Sequence, residues 1–451
     1  MIEQAHYQLA FVLPDFRQLL GIANPGSAEM PTISIPLWER SVEGLTEQIY
    51  ARWNIRAIVL DILASPTSET PCAVIEVQSG SWDFERAGFS VLRTAGTSIP
   101  SLADSQRTTL AAILLDDDAS REPLARIGWI KTAQQWIQES VTDHPVAFSA
   151  DVFHVNGCAP FALVRFESQK GPNYWLKATG QPNTHELPVT KMLTQRFPNS
   201  LPPLVAARQD WNAWVTEDAG SPLRECLTMP MIERAVASLA SLEKLSIPYT
   251  ERLSADGCAV CSIRRLESHV DELVDYLEEA MQLQTSLRAQ RLDQQQLREL
   301  GDSLHRACHQ LEELEIPDSL IHGDINPGNI LFDGTRCVFI DWAEAFIGNP
   351  FLNFEQFLNH LVRQSERAKG WIPQLRELYK QEWLGVLTDS KIDGAFALAP
   401  LLAVATYLLG RGDWLRSPRR NDANFQAFAR SLARRMYRAA LASEATEALC
   451  L

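Results

Sequence analysis

Residues 319–350, "SLIHGDINPGNILFDGTRCVFIDWAEAFIGNP", constrain this chain more than any other stretch. The apolar runs in "LIHGD", "NILFDG" and "CVFIDWA" alternate with turn formers at Asn326-Pro327-Gly328 and Asp333-Gly334. That spacing predicts short strands joined by tight turns. His322, Asp324, Asn329 and Asp341 fall between the apolar runs. A packed core gains nothing from two carboxylates and an amide at these intervals, since each needs a partner once buried. A site that holds metal ions and orients a hydroxyl uses just such hard oxygen donors. The plainer alternative is a turn with incidental polar residues.

Around this stretch the chain reads as three regions. Residues 1–145 mix strands ("IRAIVLDIL", "CAVIEVQ") with helices ("SVEGLTEQIYARWN", "REPLARIGWIKTAQQWIQESV"), and 96–122 are loop-rich. This predicts an extra N-terminal α/β domain. Its helix-then-strand order is weakly similar to a Nudix hydrolase core. Glu39, Glu43 and Glu47 do not fall in that family's RExxEE pattern, so no chemistry is assigned to the region. Residues 146–220 carry three successive strand candidates, "DVFHVNG", "FALVRFES" and "NYWLKAT", with the turn "QKGPN" before the last. The helical "THELPVTKMLTQRF" follows, with Pro188 near its start, where proline is tolerated. Residues 221–451 are mainly helical, with apolar residues three and four apart. The expected class is α+β: a small antiparallel β lobe and a larger helical lobe, preceded by the extra domain.

Composition excludes several classes. A net charge of −15 argues against nucleic acid as a partner, because phosphate contacts need concentrated Lys and Arg. The locally basic "SPRRNDANFQAFARSLARRMYRAA" reads as a solvated amphipathic helix. The longest apolar run, "AFALAPLLAVATYLLG", is interrupted by Pro400 and falls short of a membrane span, so a buried core helix and no membrane are expected. The N-terminus shows Glu3 and no basic stretch, which predicts a cytoplasmic protein. Eight scattered cysteines predict no disulfide framework, and Cys258-Ala-Val-Cys261 is a lone pair without a second. His305 and His309 read as one helix face.

"HGDINPGN", followed twelve residues after its Asn by the Asp of "IDWAEAFIGNP", resembles the aminoglycoside phosphotransferase and choline kinase family, a branch of the protein-kinase-like fold. The resemblance implies a Mg²⁺-dependent kinase that uses ATP or GTP and phosphorylates a hydroxyl of an amine or sugar metabolite. Such transfer needs an aligned hydroxyl, metal ions on the triphosphate and positive charge on its oxygens. By this resemblance Asp324 orients the hydroxyl, Asn329 and Asp341 hold Mg²⁺, and His322 supports the loop. Lys177, a lone charge on an apolar strand, is similar to the family's phosphate lysine, and Glu186 to its partner. The turn "NGCAPF", with Asn156 and Gly157, occupies the place of the nucleotide-covering loop. Backbone groups of Glu217 to Ala219 match the base-pairing hinge.

Two positions depart from the family pattern. Asn353 replaces an Asp that braces the catalytic loop, which predicts a less rigid loop; Ala343 then Glu344 follow Asp341 where relatives carry Glu two residues on. A nucleotide-binding regulatory pseudoenzyme with a partner-binding N-terminal domain therefore stays open as the alternative. Overall acidity suits a small-molecule acceptor that is cationic.

Overall fold

The computed structural model describes all residues except 1, 2, 16, 25, 26, 38, 39, 66, 67, 79–81, 93–101, 116–120, 159, 411–414 and 451. Glu39 and part of the expected 96–122 loop thus lie outside the described residues. The chain forms two compact units: Met1–Leu187 with Pro203–Asp218, and Pro188–Pro202 with Ala219–Leu451.

The first unit opens with strands β1 (Gln4–Leu13), β2 (Gln18–Asn24), β3 (Ser27–Glu29) and β4 (Thr32–Pro36), then helix α1 (Ser41–Trp53). Strands β5 (Ala57–Ser65), β6 (Ser68–Val77) and β7 (Ser90–Leu92) complete a mixed sheet in the order β3-β2-β1-β6-β5, with β4 on β1 and β7 on β2. Strand β1 runs parallel to β6 and antiparallel to β2 and β4. Its "LAFV" is buried on both faces, which is why the run is continuously apolar and not alternating. Val42, Leu45 and Ile49 of α1 cover one face. Helices α2 (Asp104–Leu115) and α3 (Trp129–Ser140) follow. The helix expected from residue 121 starts only at Trp129, because Pro123–Ala125 form a 3₁₀ turn and Gly128 sits at φ 81.

Five antiparallel strands make a second sheet in the same unit: β8 (Phe148–Cys158), β9 (Phe161–Ser168), β10 (Tyr174–Ala178), β11 (Leu204–Arg208) and β12 (Ala213–Glu217), in the order β11-β12-β10-β9-β8. Strict alternation in β9 and β10 buries Val164, Phe166, Leu176 and Ala178 on one face. These share one apolar cluster with Ile58, Leu60 and Val74 of the first sheet and with Trp129 and Ile137 of α3. The opposite face carries Leu163, Arg165 and Lys177, each half-buried.

Helix α4 (Glu186–Arg196) belongs to the second unit from Pro188 onward. That unit contains α5 (Met229–Ser246), α6 (Thr250–Ala255), α7 (Ile263–Glu267), α8 (Val270–Gln282), α9 (Gln294–Glu313), α10 (Pro350–Gln364), α11 (Ile372–Trp383), α12 (Asp389–Gly410) and α13 (Ala423–Cys450). Its strands are β13 (Ser221–Pro222), β14 (Ala259–Cys261), β15 (Ser319–Ile321), β16 (Ile330–Phe332), β17 (Cys337–Phe339) and β18 (Phe346–Gly348). They form two three-stranded sheets, β13-β16-β17 and β14-β18-β15. Phe351, Phe354, Tyr379 and Trp383 are fully buried at the centre of the core, with Phe354 stacked on Tyr379 at 4.0 Å. Helix α12 corrects the expectation of a short run broken at Pro400: it continues through the proline, and Asp389–Leu409 is long and apolar enough to cross a membrane. Just over half of its apolar window is buried in this core, where Ile392, Ala399 and Leu402 pack.

Candidate active site

Two short strand pairs of the second unit suspend a polar loop between them. Ile330↔Phe339 and Leu331↔Val338 pair β16 with β17, and the Ile340 N–H donates to the Asn329 carbonyl at 3.0 Å. This places Asp341, the residue after Ile340, at the mouth of the hairpin that begins with Asn329. On the other side, β15 ends at Ile321 and delivers His322, Gly323 and Asp324. His322 is buried, donates from Nε2 to the Ile340 carbonyl at 2.8 Å, and lies against the Trp342 ring at 4.5 Å. One backbone residue, Ile340, is therefore gripped from both sides.

The loop from Asp324 to Asn329 is wound on itself. Asn326 N–H bonds the Asp324 carbonyl at 2.9 Å, Gly328 N–H bonds Asn326 Oδ1 at 2.8 Å, and Asn329 N–H bonds the Asn326 carbonyl at 2.9 Å. Asn329 Nδ2 donates to the Asp324 carbonyl at 2.9 Å and to its carboxylate at 3.2 Å. With the amide nitrogen committed to Asp324, the oxygen of Asn329 is the atom left to meet a cation. Gly323 sits at φ 79, and a Cβ there would lie 2.0 Å from the Glu344 carbonyl oxygen. Only glycine fits such a left-handed, crowded position. Asp341 is itself left-handed at φ 69, a conformation that Asp tolerates better than most residues.

The donor set suits a hard divalent cation. Asn329 and Asp341 supply one amide oxygen and one carboxylate, and Mg²⁺ commonly takes one or two protein oxygens and completes its octahedron with phosphate and water. Among the described residues no group of three His, Cys, Asp or Glu could close a cage around a metal. An open cation position is what these two residues can build.

In the first unit, Lys177 Nζ lies 2.6 Å from Glu186 Oε1, and the Glu186 side chain is fully buried. Lys177 also sits over the Trp214 ring at 5.7 Å. The expected loop at 156–161 is mostly strand: Asn156 and Gly157 close β8 against Leu163 and Ala162, and residue 159 lies outside the described residues. The Gly157 N–H bonds Asn156 Oδ1 at 3.0 Å, and a Cβ at Gly157 would strike the His154 ring at 2.2 Å. In the hinge segment the Glu217 and Asp218 N–H groups are taken by the Pro203 and Asn173 carbonyls. Ala219, in the second unit, is buried against Leu331 and Val338.

Asn353 has a partner that sequence reading missed. It is fully buried and donates from Nδ2 to Glu243 Oε1 at 2.8 Å; Tyr379 donates its hydroxyl to Glu243 Oε2 at 2.5 Å. Burial raises the Glu243 carboxyl to about 8 against the two donated hydrogen bonds. One turn on, Ser246 Oγ accepts the Leu320 N–H at 2.8 Å and so ties α5 to β15, the strand that carries the loop. The signal was present: Glu243 falls four after Leu239 on the apolar face of α5, where a carboxylate is out of pattern. The expected loss of bracing at Asn353 is thus met by a different pair, not by an empty position.

The remaining polar groups sit elsewhere. Burial pushes the Cys258 and Cys261 thiols up to about 12 and 11, which keeps both protonated and poor as ligands. His309 reaches Glu267 at 3.1 Å and His305 reaches Asp271 at 3.0 Å, which ties α9 to the α7–α8 segment.

The model of a phosphotransferase enzyme family matches residues 213–387 of the chain, a span that includes the loop from Asp324 to Asn329 and also Asp341. Lys177, Glu186, Asn156 and Gly157 precede the matched phosphotransferase span. No curated protein matches the chain by sequence. Among solved structures it is similar to a Plasmodium vivax ethanolamine kinase (TM-score 0.47, 14% identity, 75% of this chain and 97% of that one). It is also similar to a Cryptosporidium parvum choline kinase (TM-score 0.43, 12% identity, 71% and 92%) and a Brachybacterium faecium macrolide 2'-phosphotransferase (TM-score 0.43, 13% identity, 66% and 97%). Likeness at this level transfers neither an acceptor nor a nucleotide to the phosphotransferase segment.

Proposed function

We propose that the chain is a Mg²⁺-dependent small-molecule kinase of protein-kinase-like fold that transfers the γ-phosphoryl group of ATP or GTP to an acceptor hydroxyl. The observation that carries this is the loop itself: the Asn329 amide held 3.2 Å from the Asp324 carboxylate, with Asp341 brought alongside through the Ile340–Asn329 bond, inside the family-matched span. Asp324 accepts the hydrogen bond of the acceptor hydroxyl and fixes its line of attack; in a loose transition state, orientation outweighs early proton removal. The Asn329 amide holds that carboxylate in one rotamer. Asn329 Oδ1 and the Asp341 carboxylate hold Mg²⁺, which when bound neutralises charge on the phosphate oxygens. His322 keeps the Ile340 carbonyl, and with it the start of Asp341, in place. Lys177, aimed by buried Glu186, meets phosphate oxygens with a fixed positive charge. The nucleotide base falls to the segment Glu217 to Ala219, through backbone groups other than the Glu217 and Asp218 N–H donors already held by the Pro203 and Asn173 carbonyls, and Asn156 with Gly157 to the covering turn.

Thermal unfolding with ATP and GTP, each with and without Mg²⁺, tests the reading. Ligand at about 100 times its Kd stabilises by about 2.7 kcal/mol, so one nucleotide should raise the midpoint only when the metal is present. Asp324→Asn should keep that shift and lose phosphoryl transfer by roughly 10² to 10⁴-fold. No metal-dependent shift with either nucleotide overturns the proposal. A shift with no transfer to any hydroxyl acceptor leaves the regulatory reading.

A further inference from the structure

Strand alternation decides which side chains share a face with Lys177 in the second sheet. Tyr174, Leu176 and Ala178 of β10 are buried in the apolar cluster, so Trp175 and Lys177 both stand on the opposite face. Register fixes their neighbours: Lys177 lies opposite Leu163 and Trp214, and Trp175 lies opposite Arg165 and Thr216. Lys177 Nζ over the Trp214 ring agrees with this pairing. The step from Lys177 to Trp175 along the strand is about 7 Å, the order of a ribose with one phosphate. Thr216 leads directly into Glu217 and Asp218, the segment proposed above for the base.

The indole of Trp175 is half-buried and unclaimed. Among the described residues no aromatic ring, ammonium or guanidinium stacks on it, and its Nε1 has no hydrogen-bond partner. Every other described tryptophan of this unit has a ring or a cation beside it. Arg165, the cation nearest in register, turns instead to Glu167 at 3.1 Å and Asp218 at 3.2 Å, and lies over Phe153 of β8 at 5.9 Å.

The edge of a base meets few donors in this segment. The Glu217 and Asp218 N–H groups are held by the Pro203 and Asn173 carbonyls, which removes two of the three N–H donors of Glu217 to Ala219. With edge donors scarce, affinity for the base has to come from its face, and a π face is what an unclaimed indole presents. Stacking on an aromatic ring serves any base, because each has such a face.

We propose that the Trp175 indole is the platform on which the nucleotide base stacks, with the phosphates running along β10 to Lys177. This rests on the phosphotransferase reading above. The base is then held by its face on Trp175, while Lys177, aimed by Glu186, holds the charge two residues further along the same strand.

Titration calorimetry on the full chain with Mg²⁺ compares ATP, GTP and inorganic tripolyphosphate, which has the phosphates without a base. For whichever nucleotide the wild type binds more tightly, Trp175→Ala should weaken binding by roughly 5- to 100-fold, the range of one base–aromatic stack, and leave tripolyphosphate binding within about twofold. Trp175→Phe keeps a ring and should recover most of the lost affinity. Nucleotide should also quench the wild-type tryptophan fluorescence by an amount that Trp175→Phe loses while it still binds. Nucleotide binding unchanged in Trp175→Ala, equal losses for nucleotide and tripolyphosphate, or a quench that persists in Trp175→Phe overturns the inference and leaves the kinase reading standing. No binding of either nucleotide to the wild type with Mg²⁺ overturns the kinase reading and the stacking role with it.

Discussion

Replacing Glu243 by glutamine should remove a pH dependence that the wild type carries alone. The carboxyl is fully buried in α5 and lifted by burial from 4.5 to about 8, with Asn353 and Tyr379 as its hydrogen-bond donors. Below pH 4.5 both the folded and the unfolded chain hold the proton, and the group contributes no pH dependence. Between 4.5 and 8 the unfolded chain releases the proton while the folded chain keeps it, so stability falls as pH rises. The slope is about 1.4 kcal/mol per pH unit, which accumulates to at most about 5 kcal/mol by pH 8. The neutral form also suits its surroundings: Asn353 Oδ1 is buried without a partner among the described residues, and a turned amide would accept the Glu243 hydroxyl there. Glutamine keeps the shape and offers an amide N–H in place of the carboxyl O–H as donor to the turned Asn353 amide. Urea unfolding of wild type and Glu243→Gln at pH 5, 6, 7 and 8 gives the difference at each pH, in which all other titrations cancel. The variant should gain on the wild type steadily across that range. A constant difference would mean that Glu243 is ionised throughout and that two donors suffice to hold a buried carboxylate.

Three further outcomes follow from the site. Asp341→Ala should weaken Mg²⁺-dependent nucleotide binding itself, read as a lost thermal shift, whereas unchanged binding would remove Asp341 from the metal position. Lys177→Met should raise the nucleotide KM by roughly tenfold or more through a lost charge-assisted contact, and also destabilise the chain by removing the lysine from the buried Glu186 carboxylate. Adding Glu186→Gln should restore the unfolding midpoint but not the KM; recovery of both would make the pair structural only. Gly323→Ala forces a Cβ to 2.0 Å from a backbone oxygen at φ 79, so it should cost about 3 kcal/mol or more in urea unfolding, and an unchanged midpoint would show that the loop can relax.

What the sequence determined by itself is local. Asp324 and Asn329 are five residues apart in one wound turn, Asn329 and Asp341 are joined by a hairpin of two short strands, and Lys177 meets Glu186 nine residues on. Such spacings fold onto themselves, so turn formers and apolar runs are enough to read them. The helices with three-and-four spacing and the alternating strands were legible for the same reason. The tertiary structure alone decided the rest. Asn353 lies 110 residues from Glu243, and Tyr379 lies 136 from it; no periodicity links them, and a buried carboxyl acquires its partners only when α5, α10 and α11 pack. Pro400 stayed within α12, where a sequence rule had ended the apolar run, because packing in the core outweighs one lost backbone hydrogen bond.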